Sequence, residues 1–392
     1  MLQKIKEIFV KKDKKNIIFI ALDGVRLDLF RNYPSFKSIS SQGTLFSKVV
    51  TYSPHSIASF HAIFTGLYGS KSGVNSYFGT LNFKKNQSKT IPQYLQEAGY
   101  YCLGDSMNEL VVPKQGFDKL VVQKEFTEFI DQHKDFIAEV ARKNQEKTPC
   151  FLHLHCSYLH NRLVHEVIKK FKDKESEYAG KEEMNTQRYQ SFLAEIDLYT
   201  STIIEELKKH HLLDNSLVVF FSDHGSSLGE KKGELAYGNF CYDYSLLTFA
   251  LFIDLKLFVP NKEVTNLVRN VDLLPTILNY LNLKPDKSKL LLDGESLLSF
   301  THGNSALPRF AFSETGGMSG PFPSPKEPNI HALRTDEWKL IYIRPTKQYQ
   351  LFYLRDDPRE EHDLSGKGLA IEALLQARLQ EHLSFSDQER KE

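Results

Sequence analysis

The sequence predicts an α/β fold with a central, mostly parallel sheet and a small antiparallel subdomain at the C-terminal end. Two runs, Asn16–Leu22 and Ser216–Phe221, are short, apolar and rich in β-branched or aromatic residues, which is typical of buried strands. Each run stops at a polar turn that contains glycine. Helical segments separate the predicted strands, as expected for strands that pair in parallel. From about Ala306 the pattern changes to short strands, so we expect one domain over 1–305 and a small sheet-plus-helix subdomain over 306–392.

Hydrophobic periodicity and residues that end helices predict the secondary structure between the two buried strands. A helix over Thr90–Gly99 ends at its glycine, and a charged, exposed insert covers Lys169–Glu183. The remaining elements predicted here are a strand at Tyr100–Leu103, a helix over Phe126–Asn144, a strand at Cys150–Cys156 and a long helix over Tyr189–His210.

The last part of the chain mixes apolar strands with two helices. Tyr242–Ile253 has the apolar character of a strand, and a helix follows Asp272, its expected N-cap, with Pro275 in the first turn. The expected C-terminal elements are strands at Phe310–Ser313, Ala332–Arg334, Trp338–Tyr342 and Gln350–Leu354, then a helix over Ala370–Leu383.

Composition excludes several classes of partner. Of 392 residues, 41% are hydrophobic and 25% charged, and the net charge is +1, so neither nucleic acid nor an anionic membrane is indicated. No run approaches the ~18 apolar residues of a transmembrane helix. The lysine-rich start has only Ile8–Val10 as an apolar stretch, too short for a signal peptide. The four cysteines form no C-x-x-C pair, which predicts reduced thiols and a cytoplasmic protein. Nothing indicates the oligomeric state.

Acidic residues stand at the ends of both buried strands. Asp23 follows the first strand, and Asp223 with His224 follows the second. Ligands of open α/β sheets bind at the carboxyl ends of the strands. Two carboxylates and an imidazole suit a divalent metal ion, and calcium, magnesium, manganese and zinc all accept such donors. Taken singly, each residue could instead be a turn aspartate, a helix cap or a surface histidine.

Ser56 opens a helix whose apolar face runs to Phe64. The hydroxyl there could be an N-cap, or a nucleophile in the positive field of the helix N-terminus. In a parallel sheet, the strand ends that precede Asp23 and Asp223 meet at one edge. One site could therefore contain Asp23, Ser56, Asp223 and His224. A metal held by Asp23, Asp223 and His224 could bind the Ser56 oxygen, lower its pKa and polarise phosphate or sulfate.

Four histidines fall between His153 and His165. His155 and His160 lie nearest the predicted strand end, where an imidazole could contact substrate or transfer a proton. Lys232, in the loop after Asp223, could pair with an anionic substrate or be an ordinary solvated lysine. Arg334 and Lys339, in the predicted C-terminal strands, are expected at the surface or at the rim of the substrate site.

At these residues the chain resembles the alkaline phosphatase superfamily, in its sulfatase-like branch. The resemblance implies that superfamily's three-layer sandwich and a metal-dependent ester hydrolase or transferase. The segments that carry it share their order along the chain and are Leu22–Arg26, Ser56–Gly66, Pro113–Asp118, Ser222–Gly225 with Leu228–Glu230, Val271–Thr276, Asp293–Leu297, Trp338–Tyr342 and Leu351–Pro358.

The chain departs from the sulfatase pattern around the nucleophile. The family's C-x-P-x-R motif, whose first residue becomes formylglycine, corresponds here to Ser56, Ala58 and Phe60. Since the proline and arginine are absent, formylglycine is not expected. Gly24 replaces a second aspartate and Tyr237 replaces an expected histidine, so the resemblance implies one metal ion rather than two.

Together these features predict a hydrolase or transferase of small phosphate mono- or diesters. The resemblance makes Ser56 the nucleophile and a ligand of the metal held by Asp23, Asp223 and His224. His160 is expected to touch the substrate oxyanion or protonate the leaving oxygen, with His155 and Lys232 as further substrate-binding candidates. One alternative is a sulfate ester hydrolase, and another is a catalytically weakened anion-binding protein. The specificity loops, Tyr158–Glu183 and Gly316–Ile330, do not identify the substrate.

Overall fold

The computed structural model describes residues 15–123, 129–254, 257–302 and 309–389. Its strands form a sheet of nine and a sheet of four, which confirms the predicted fold class. The larger sheet contains β1 Asn16–Leu22, β2 Thr44–Val50, β3 Tyr101–Ser106, β4 Lys119–Val122, β5 Cys150–Cys156, β6 Ser216–Phe221, β7 Leu247–Ile253, β8 Lys262–Val264 and β9 Val268–Arg269. The smaller sheet contains β10 Ala311–Thr315, β11 Ile330–Arg334, β12 Trp338–Ile343 and β13 Gln348–Tyr353.

The order of the larger sheet is β4-β3-β5-β1-β6-β7-β2-β8, with β9 also paired to β2. The five strands from β4 to β6 pair in parallel, whereas β7 runs antiparallel to both of its neighbours. The register of β1 and β6 pairs Ala21 with Phe221. Asp23 and Asp223 therefore follow their strands in step, at one edge of the sheet.

Both faces of the larger sheet are buried, which makes the fold a three-layer sandwich. Along β1, Ile18, Ile20 and Leu22 enter one apolar core, and the residues between them enter the other. Helices α2, α6, α7 and α9 cover the first face, and α3, α5 and α11 cover the second. The helices are α1 Leu27–Phe30, α2 Pro34–Ser40, α3 Ser56–Thr65, α4 Gly69–Ser72, α5 Ile91–Glu97, α6 Ile130–Gln145, α7 Tyr158–Leu163, α8 Lys169–Phe171, α9 Glu182–Lys209, α10 Asp243–Leu246, α11 Leu273–Tyr280 and α12 Ala370–Glu389.

Some boundaries differ from the predicted ones. Helix α9 begins at Glu182 rather than Tyr189, because its first turns are polar and give no apolar periodicity. The predicted strand from Tyr242 starts instead with the short helix α10. Asp272 precedes α11, but its side chain does not cap the helix. Its carboxylate instead forms an ion pair with Arg269. The predicted start of α6 at residue 126 lies outside the described residues.

The smaller sheet packs on both faces. Leu333, Leu340 and Leu351 contact Leu375 and Leu379 of α12. The opposite face packs against the segment that carries α10. The predicted domain boundary at 305/306 lies outside the described residues and stays a prediction.

Arg334 and Lys339, which we expected at the surface or the substrate rim, are buried. The Lys339 Nζ lies 2.8 Å from both Asp243 Oδ1 and Glu360 Oε1, and Arg334 also pairs with Asp243. This ion network joins the smaller sheet to the loop that follows β6. The expectation of a rim position was wrong because a lone cation in a strand gives no sign of distant buried carboxylates.

In the part of the chain that the structure describes, no helix has the length and apolar character needed to cross a membrane. All four cysteines are buried and free of disulfide bonds, as expected for reduced thiols.

Candidate active site

Three segments meet at the carboxyl ends of β1 and β6. Asp23 follows β1, Asp223 and His224 follow β6, and Ser56 is the first residue of α3. The Ser56 Oγ lies 3.2 Å from Asp23 Oδ2 and 3.1 Å from His224 Nε2. All four residues are buried. The structure thus brings together the four residues predicted to hold the metal.

Ser56 is not the N-cap of α3, because His55 holds that position and Ser56 lies inside the first turn. One turn further on, Ser59 Oγ donates a hydrogen bond to the carbonyl of Asp223 (2.7 Å) and fixes the helix against the end of β6. The first N–H groups of a helix lack intrahelical partners, and the helix dipole is positive there. The Ser56 oxygen therefore stands where negative charge is favoured.

Each site carboxylate has one oxygen that accepts hydrogen bonds from the protein and one oxygen without a hydrogen bond. Asp223 Oδ1 accepts the N–H of Gly24 (3.1 Å), and Asp23 Oδ2 accepts hydrogen bonds from Ser56 and His155. Asp23 Oδ1 and Asp223 Oδ2 are buried without any hydrogen bond. Unpaired buried carboxylate oxygens are costly unless a cation satisfies them.

The tautomer of His224 follows from its surroundings. The Nδ1 lies 2.8 Å from the carbonyl oxygen of Gly225 and must donate to it, because a carbonyl only accepts. The Nε2 then carries a lone pair, and it lies 3.6 Å from Asp23 Oδ1 and from Asp223 Oδ2. A lone pair that faces two carboxylates is suited to a metal ligand and unsuited to an ion pair.

These donors fit a divalent cation. One ligand atom each from Asp23, Asp223 and His224 can be chosen so that all lie within 4.8 Å of one another. His224 Nε2 lies 3.6 Å from each of the two carboxylate oxygens that lack a hydrogen bond and 3.1 Å from the Ser56 hydroxyl. Two hard oxygens, one nitrogen and a hydroxyl are compatible with calcium, magnesium, manganese or zinc.

The two carboxylates have opposite pKa shifts. Burial by itself opposes ionisation of Asp23, but His160 and the hydrogen bond from His155 outweigh it and hold the pKa of that carboxyl well below its usual range. Burial raises the pKa of Asp223, and the negative charge of Asp23 raises it further. Two acidic groups that disfavour each other's charge are typical of a site built around a cation.

His155 lies against Asp23 with no exposed surface. Its Nε2 is 3.0 Å from Asp23 Oδ2, and its Nδ1 accepts the N–H of Met107 at 3.4 Å. Both ring nitrogens are therefore engaged within the protein. This geometry fits a residue that orients Asp23 better than one that contacts substrate.

His160, on α7, lies at the open side of the cluster. Its Nδ1 is 3.5 Å from Asp23 Oδ1 and 3.1 Å from the hydroxyl of Tyr237, and 17% of its side chain is exposed. His160 can therefore reach both the metal cluster and the space in front of it. Lys232 is exposed, and no contact joins it to these residues in the described part of the chain.

Aromatic residues that we did not predict line the rest of the site. The ring of Tyr237 lies 4.7 Å from that of His224, and Tyr77 stacks on His55 at 4.3 Å. Neither ring nitrogen of His55 has a hydrogen bond, and burial, with a smaller effect of His224, lowers its pKa to about 3. The wall is thus neutral. The sequence indicated one residue of this aromatic wall, Tyr237, because it replaces a histidine of the family pattern.

A buried network behind the site was also not predicted. Asp105 accepts the backbone N–H of His155 at 2.9 Å, and its other oxygen lies 2.8 Å from His133 Nε2. His133 Nδ1 lies 2.8 Å from the hydroxyl of Tyr199, and Gln123 donates to both Asp105 and the carbonyl of His155. His133 lowers the pKa of Asp105 against the opposing effect of burial. The network fixes the end of β5, and through His155 it fixes Asp23.

Replacing Asp105 with asparagine should therefore weaken metal binding, because Asp105 positions His155 and His155 positions Asp23. We expect a loss of about 10- to 100-fold in metal affinity or turnover, as for other groups that orient metal ligands. Metal titration and initial rates of Asp105→Asn, compared with the exposed control Asp214→Asn, measure this effect. Equal metal affinity and turnover in the two variants would exclude such a role for Asp105.

Glu234 organises the loop that carries Tyr237. Its Oε1 accepts the N–H groups of Asn239 (2.7 Å) and Phe240 (3.3 Å), and Tyr244 donates to its Oε2 (2.5 Å). The side chain is fully buried, and burial raises its pKa from 4.5 to about 7. The loop is therefore most stable with Glu234 protonated.

This shift predicts a pH-dependent stability. A carboxyl with a raised pKa in the folded state contributes fully below pH 4.5 and loses its contribution as the pH rises through 7. The loss amounts to roughly 3 kcal/mol of unfolding free energy. Denaturant unfolding from pH 4 to pH 8 should show it in the parent protein and not in Glu234→Gln. The exposed control Glu183→Gln should behave like the parent, and a parent curve equal to that of Glu234→Gln would contradict the prediction.

The family model described as sulfatase matches residues 15–283, a range that includes Asp23, Ser56, Asp223 and His224. The chain belongs to the sulfatase family.

Individual sulfatase relatives are distant. Arylsulfatase K of Canis lupus familiaris is 28% identical over 211 residues, which are 50% of this chain and 36% of that protein. The ulvan-active sulfatase of Formosa agariphila is 21% identical over 378 residues, 83% of this chain and 59% of that protein. The chain thus spans about a third to three fifths of the length of these relatives.

Solved structures share the fold. A protein in complex with its substrate D-glucosamine-2-N,6-O-disulfate superposes with a TM-score of 0.77 at 17% identity, over 97% of this chain and 100% of that one. The phosphonate monoester hydrolase of Agrobacterium radiobacter superposes with a TM-score of 0.71 at 14% identity, over 96% of each chain.

Proposed function

We propose that this sulfatase hydrolyses sulfate monoesters through Ser56, with one divalent metal ion bound by Asp23, Asp223 and His224. The observation that supports this proposal most directly is the position of the Ser56 hydroxyl. It lies within 3.2 Å of both Asp23 and His224, beside two carboxylate oxygens that lack a hydrogen bond. The names of the relatives and the family match support sulfate over the phosphate esters that the sequence placed first.

The charge of the site supports the same choice. No lysine or arginine of the described residues contacts Asp23, Ser56, Asp223 or His224. The charges of two carboxylates and one divalent cation add up to zero, and the aromatic side chains that line the site are uncharged. A sulfate monoester carries one negative charge, whereas a phosphate monoester carries nearly two at neutral pH. With no lysine or arginine of the described residues in contact, only His160 could offset the second charge, and His160 gives its proton to the leaving oxygen during the reaction, so the single charge is favoured.

The chain's own groups can perform two successive substitutions at sulfur. A bound divalent cation would lower the pKa of the Ser56 hydroxyl and stabilise charge on the sulfate oxygens. Ser56 Oγ attacks sulfur while its proton passes along the hydrogen bond to Asp23 Oδ2. The bond from sulfur to the alcohol oxygen breaks, and protonated His160 donates its proton to that oxygen. The products are the free alcohol and sulfo-Ser56.

The second step restores the enzyme. Water attacks the sulfur of sulfo-Ser56 and gives one proton to His160. The bond between sulfur and Ser56 Oγ breaks, Asp23 returns the first proton to Oγ, and hydrogen sulfate leaves. The net reaction consumes one ester and one water and yields one alcohol and one hydrogen sulfate. Tyr237 holds His160 in position for both transfers through its hydroxyl.

Ser56 acts unmodified in this proposal. Conversion to formylglycine is disfavoured because Ala58 and Phe60 replace the proline and arginine of the family motif. A cytoplasmic location, expected from the four free thiols, is part of the same proposal.

A second candidate is hydrolysis of phosphodiesters or phosphonate monoesters. These esters also carry a single negative charge, and a phosphonate monoester hydrolase shares the fold. An unmodified serine can carry a phosphoryl group through the same two steps.

A substrate panel separates these activities. The purified protein is analysed for bound metal and then assayed with p-nitrophenyl sulfate, bis(p-nitrophenyl) phosphate and p-nitrophenyl phosphate in calcium, magnesium, manganese or zinc. We expect the sulfate ester to be hydrolysed fastest, and the phosphate monoester at least about tenfold more slowly, a factor equal to 1.4 kcal/mol. Fastest hydrolysis of the phosphate monoester would overturn the proposal, and fastest hydrolysis of the diester would favour the second candidate.

A further inference from the structure

A largely buried arginine joins the two segments that carry the proposed metal ligands. Segment 23–26 follows β1 and contains Asp23, and segment 223–230 follows β6 and contains Asp223 and His224. A metal ion bound by all three residues needs the two segments at a fixed separation. The contacts between these segments therefore decide how well the ligands are arranged before the metal arrives.

Arg26, at the end of the first segment, contacts the second segment with one edge of its guanidinium. Its Nη1 donates to the carbonyl oxygen of Ser226 at 3.1 Å and lies 2.5 Å from Glu230 Oε1. Only 15% of the Arg26 side chain and 12% of the Glu230 side chain are exposed. Charge-assisted hydrogen bonds of a planar guanidinium are strong and directional, so this contact fixes a distance as well as adding attraction.

Glu230 connects this contact to its own segment. Its Oε2 accepts hydrogen bonds from the hydroxyl of Ser227 at 3.1 Å and from the N–H of Leu228. Its two oxygens thus hold one segment each. Burial opposes the charge of Arg26, but Asp28 and Glu230 outweigh it and raise the pKa of the guanidinium, so Arg26 stays charged.

Gly24 extends the contact to Asp223. The carbonyl oxygen of Gly24 accepts hydrogen bonds from the hydroxyls of Tyr189 (2.8 Å) and Ser226 (2.9 Å), and the Gly24 N–H donates to Asp223 Oδ1 at 3.1 Å. The hydroxyl oxygen of Tyr189 also accepts the N–H of Arg26 at 2.9 Å. One oxygen of Asp223 is thereby held by the first segment, and its other oxygen, which has no hydrogen bond, is left for a cation.

The opposite edge of the guanidinium faces Asp28. Arg26 Nε and Nη2 lie 3.1 and 2.8 Å from the two carboxylate oxygens of Asp28, and 60% of the Asp28 side chain is exposed. This partner is only two residues away, and an exposed pair of this kind contributes little to stability. The two edges of one side chain therefore separate a local contact from a contact between the segments.

We propose that Arg26 is a positioning residue that fixes the separation of Asp23 and Asp223 for metal binding. This proposal rests on the proposed divalent metal ion at these residues. The negative charge of Asp23 disfavours that of Asp223, so without a cation the two carboxylates favour separation of their segments. The contact between Arg26 and Glu230 opposes that separation, and the metal then binds without having to bring the segments together.

Titration with manganese(II) measures this effect without any substrate. The metal-free parent protein, Arg26→Met, Glu230→Gln and the double variant are titrated calorimetrically, with Asp28→Asn as the matched control for the exposed edge. We expect each single variant of the buried pair to weaken manganese(II) binding about 10- to 100-fold. The double variant should lose about as much as one of them, because both changes break the same contact. Asp28→Asn should stay within about twofold of the parent.

Unfolding in the presence of a chelator separates positioning from folding. The double variant leaves neither charge of the pair buried without its partner, so it should fold and bind manganese(II) weakly. A purely structural role would lower the midpoint of denaturant unfolding of the metal-free protein and leave the manganese(II) affinity of the folded protein unchanged. That result would overturn the proposal, and so would equal manganese(II) affinity in the double variant and in Asp28→Asn.

The outcomes distinguish this proposal from the proposed activity. Turnover of p-nitrophenyl sulfate by the parent protein tests hydrolysis separately. Metal binding that depends on Arg26, without turnover, would keep the positioning role and refute the hydrolase, and turnover with metal binding independent of Arg26 would do the reverse. A parent protein that binds manganese(II) no more tightly than Asp223→Asn would refute the metal site and the role of Arg26 together.

Discussion

Replacing Ser56 with alanine is expected to abolish ester turnover and to leave metal binding in place. The Ser56 hydroxyl is the only nucleophile of the described residues that contacts both Asp23 and His224. Removal of a nucleophile that forms a covalent intermediate typically costs at least ~10³-fold in kcat. The three protein ligands Asp23, Asp223 and His224 remain, so metal content should change little.

The measurement is the initial rate on the best ester together with metal analysis of the same sample. Ser35→Ala is a suitable control, because Ser35 is also a buried serine and its hydroxyl lacks a hydrogen bond, but it lies on α2. Full turnover by Ser56→Ala with bound metal would refute the nucleophile assignment. A parent protein that binds sulfate esters without turnover, together with an unaffected Ser56→Ala, would support the anion-binding alternative.

Replacing Asp223 with asparagine is expected to destroy metal binding and yet to stabilise the metal-free fold. Asp223 Oδ2 is buried without a partner, and Asp23 disfavours its charge. Asparagine removes that repulsion and can still accept the N–H of Gly24. The loss of one carboxylate ligand should reduce turnover by about 10³-fold or more, and metal should no longer raise the melting temperature.

Thermal unfolding of the parent and of Asp223→Asn, each with a chelator and with saturating metal, checks both effects. At a metal concentration of about 100 times the Kd, binding stabilises a protein by ~2.7 kcal/mol. We expect this gain in the parent and in the exposed control Asp214→Asn, but not in Asp223→Asn. An equal metal-induced shift in Asp223→Asn would show that Asp223 is not a ligand.

The grouping of Asp23, Asp223, His224 and Ser56 could be predicted because it depends on local patterns. Strands β1 and β6 are recognisable as apolar runs, and parallel strands place their carboxyl ends at one edge. The identity of the following residues then located Asp23, Asp223 and His224. Ser56 followed from the start of an apolar helix, since α3 has to pack on the sheet beside these ends.

The surroundings of the site could not be predicted because they depend on contacts between distant segments. His133 joins Asp105 from a helix that follows a separate strand, and Tyr77 reaches His55 through a turn without regular periodicity. The role of His155 was also unclear, because its spacing on β5 does not reveal that both ring nitrogens are engaged. Such pairs leave no local pattern in the sequence.

The mass of the peptide that carries Ser56 tests the central claim most directly. The peptide is isolated from resting protein and from protein quenched during turnover of p-nitrophenyl sulfate. We predict an unmodified serine at rest and the addition of one SO₃ group during turnover, which disappears when the ester is exhausted. A peptide that lacks two hydrogens at rest would identify formylglycine, and turnover without any sulfated Ser56 would exclude the covalent intermediate; either result would contradict hydrolysis by an unmodified serine.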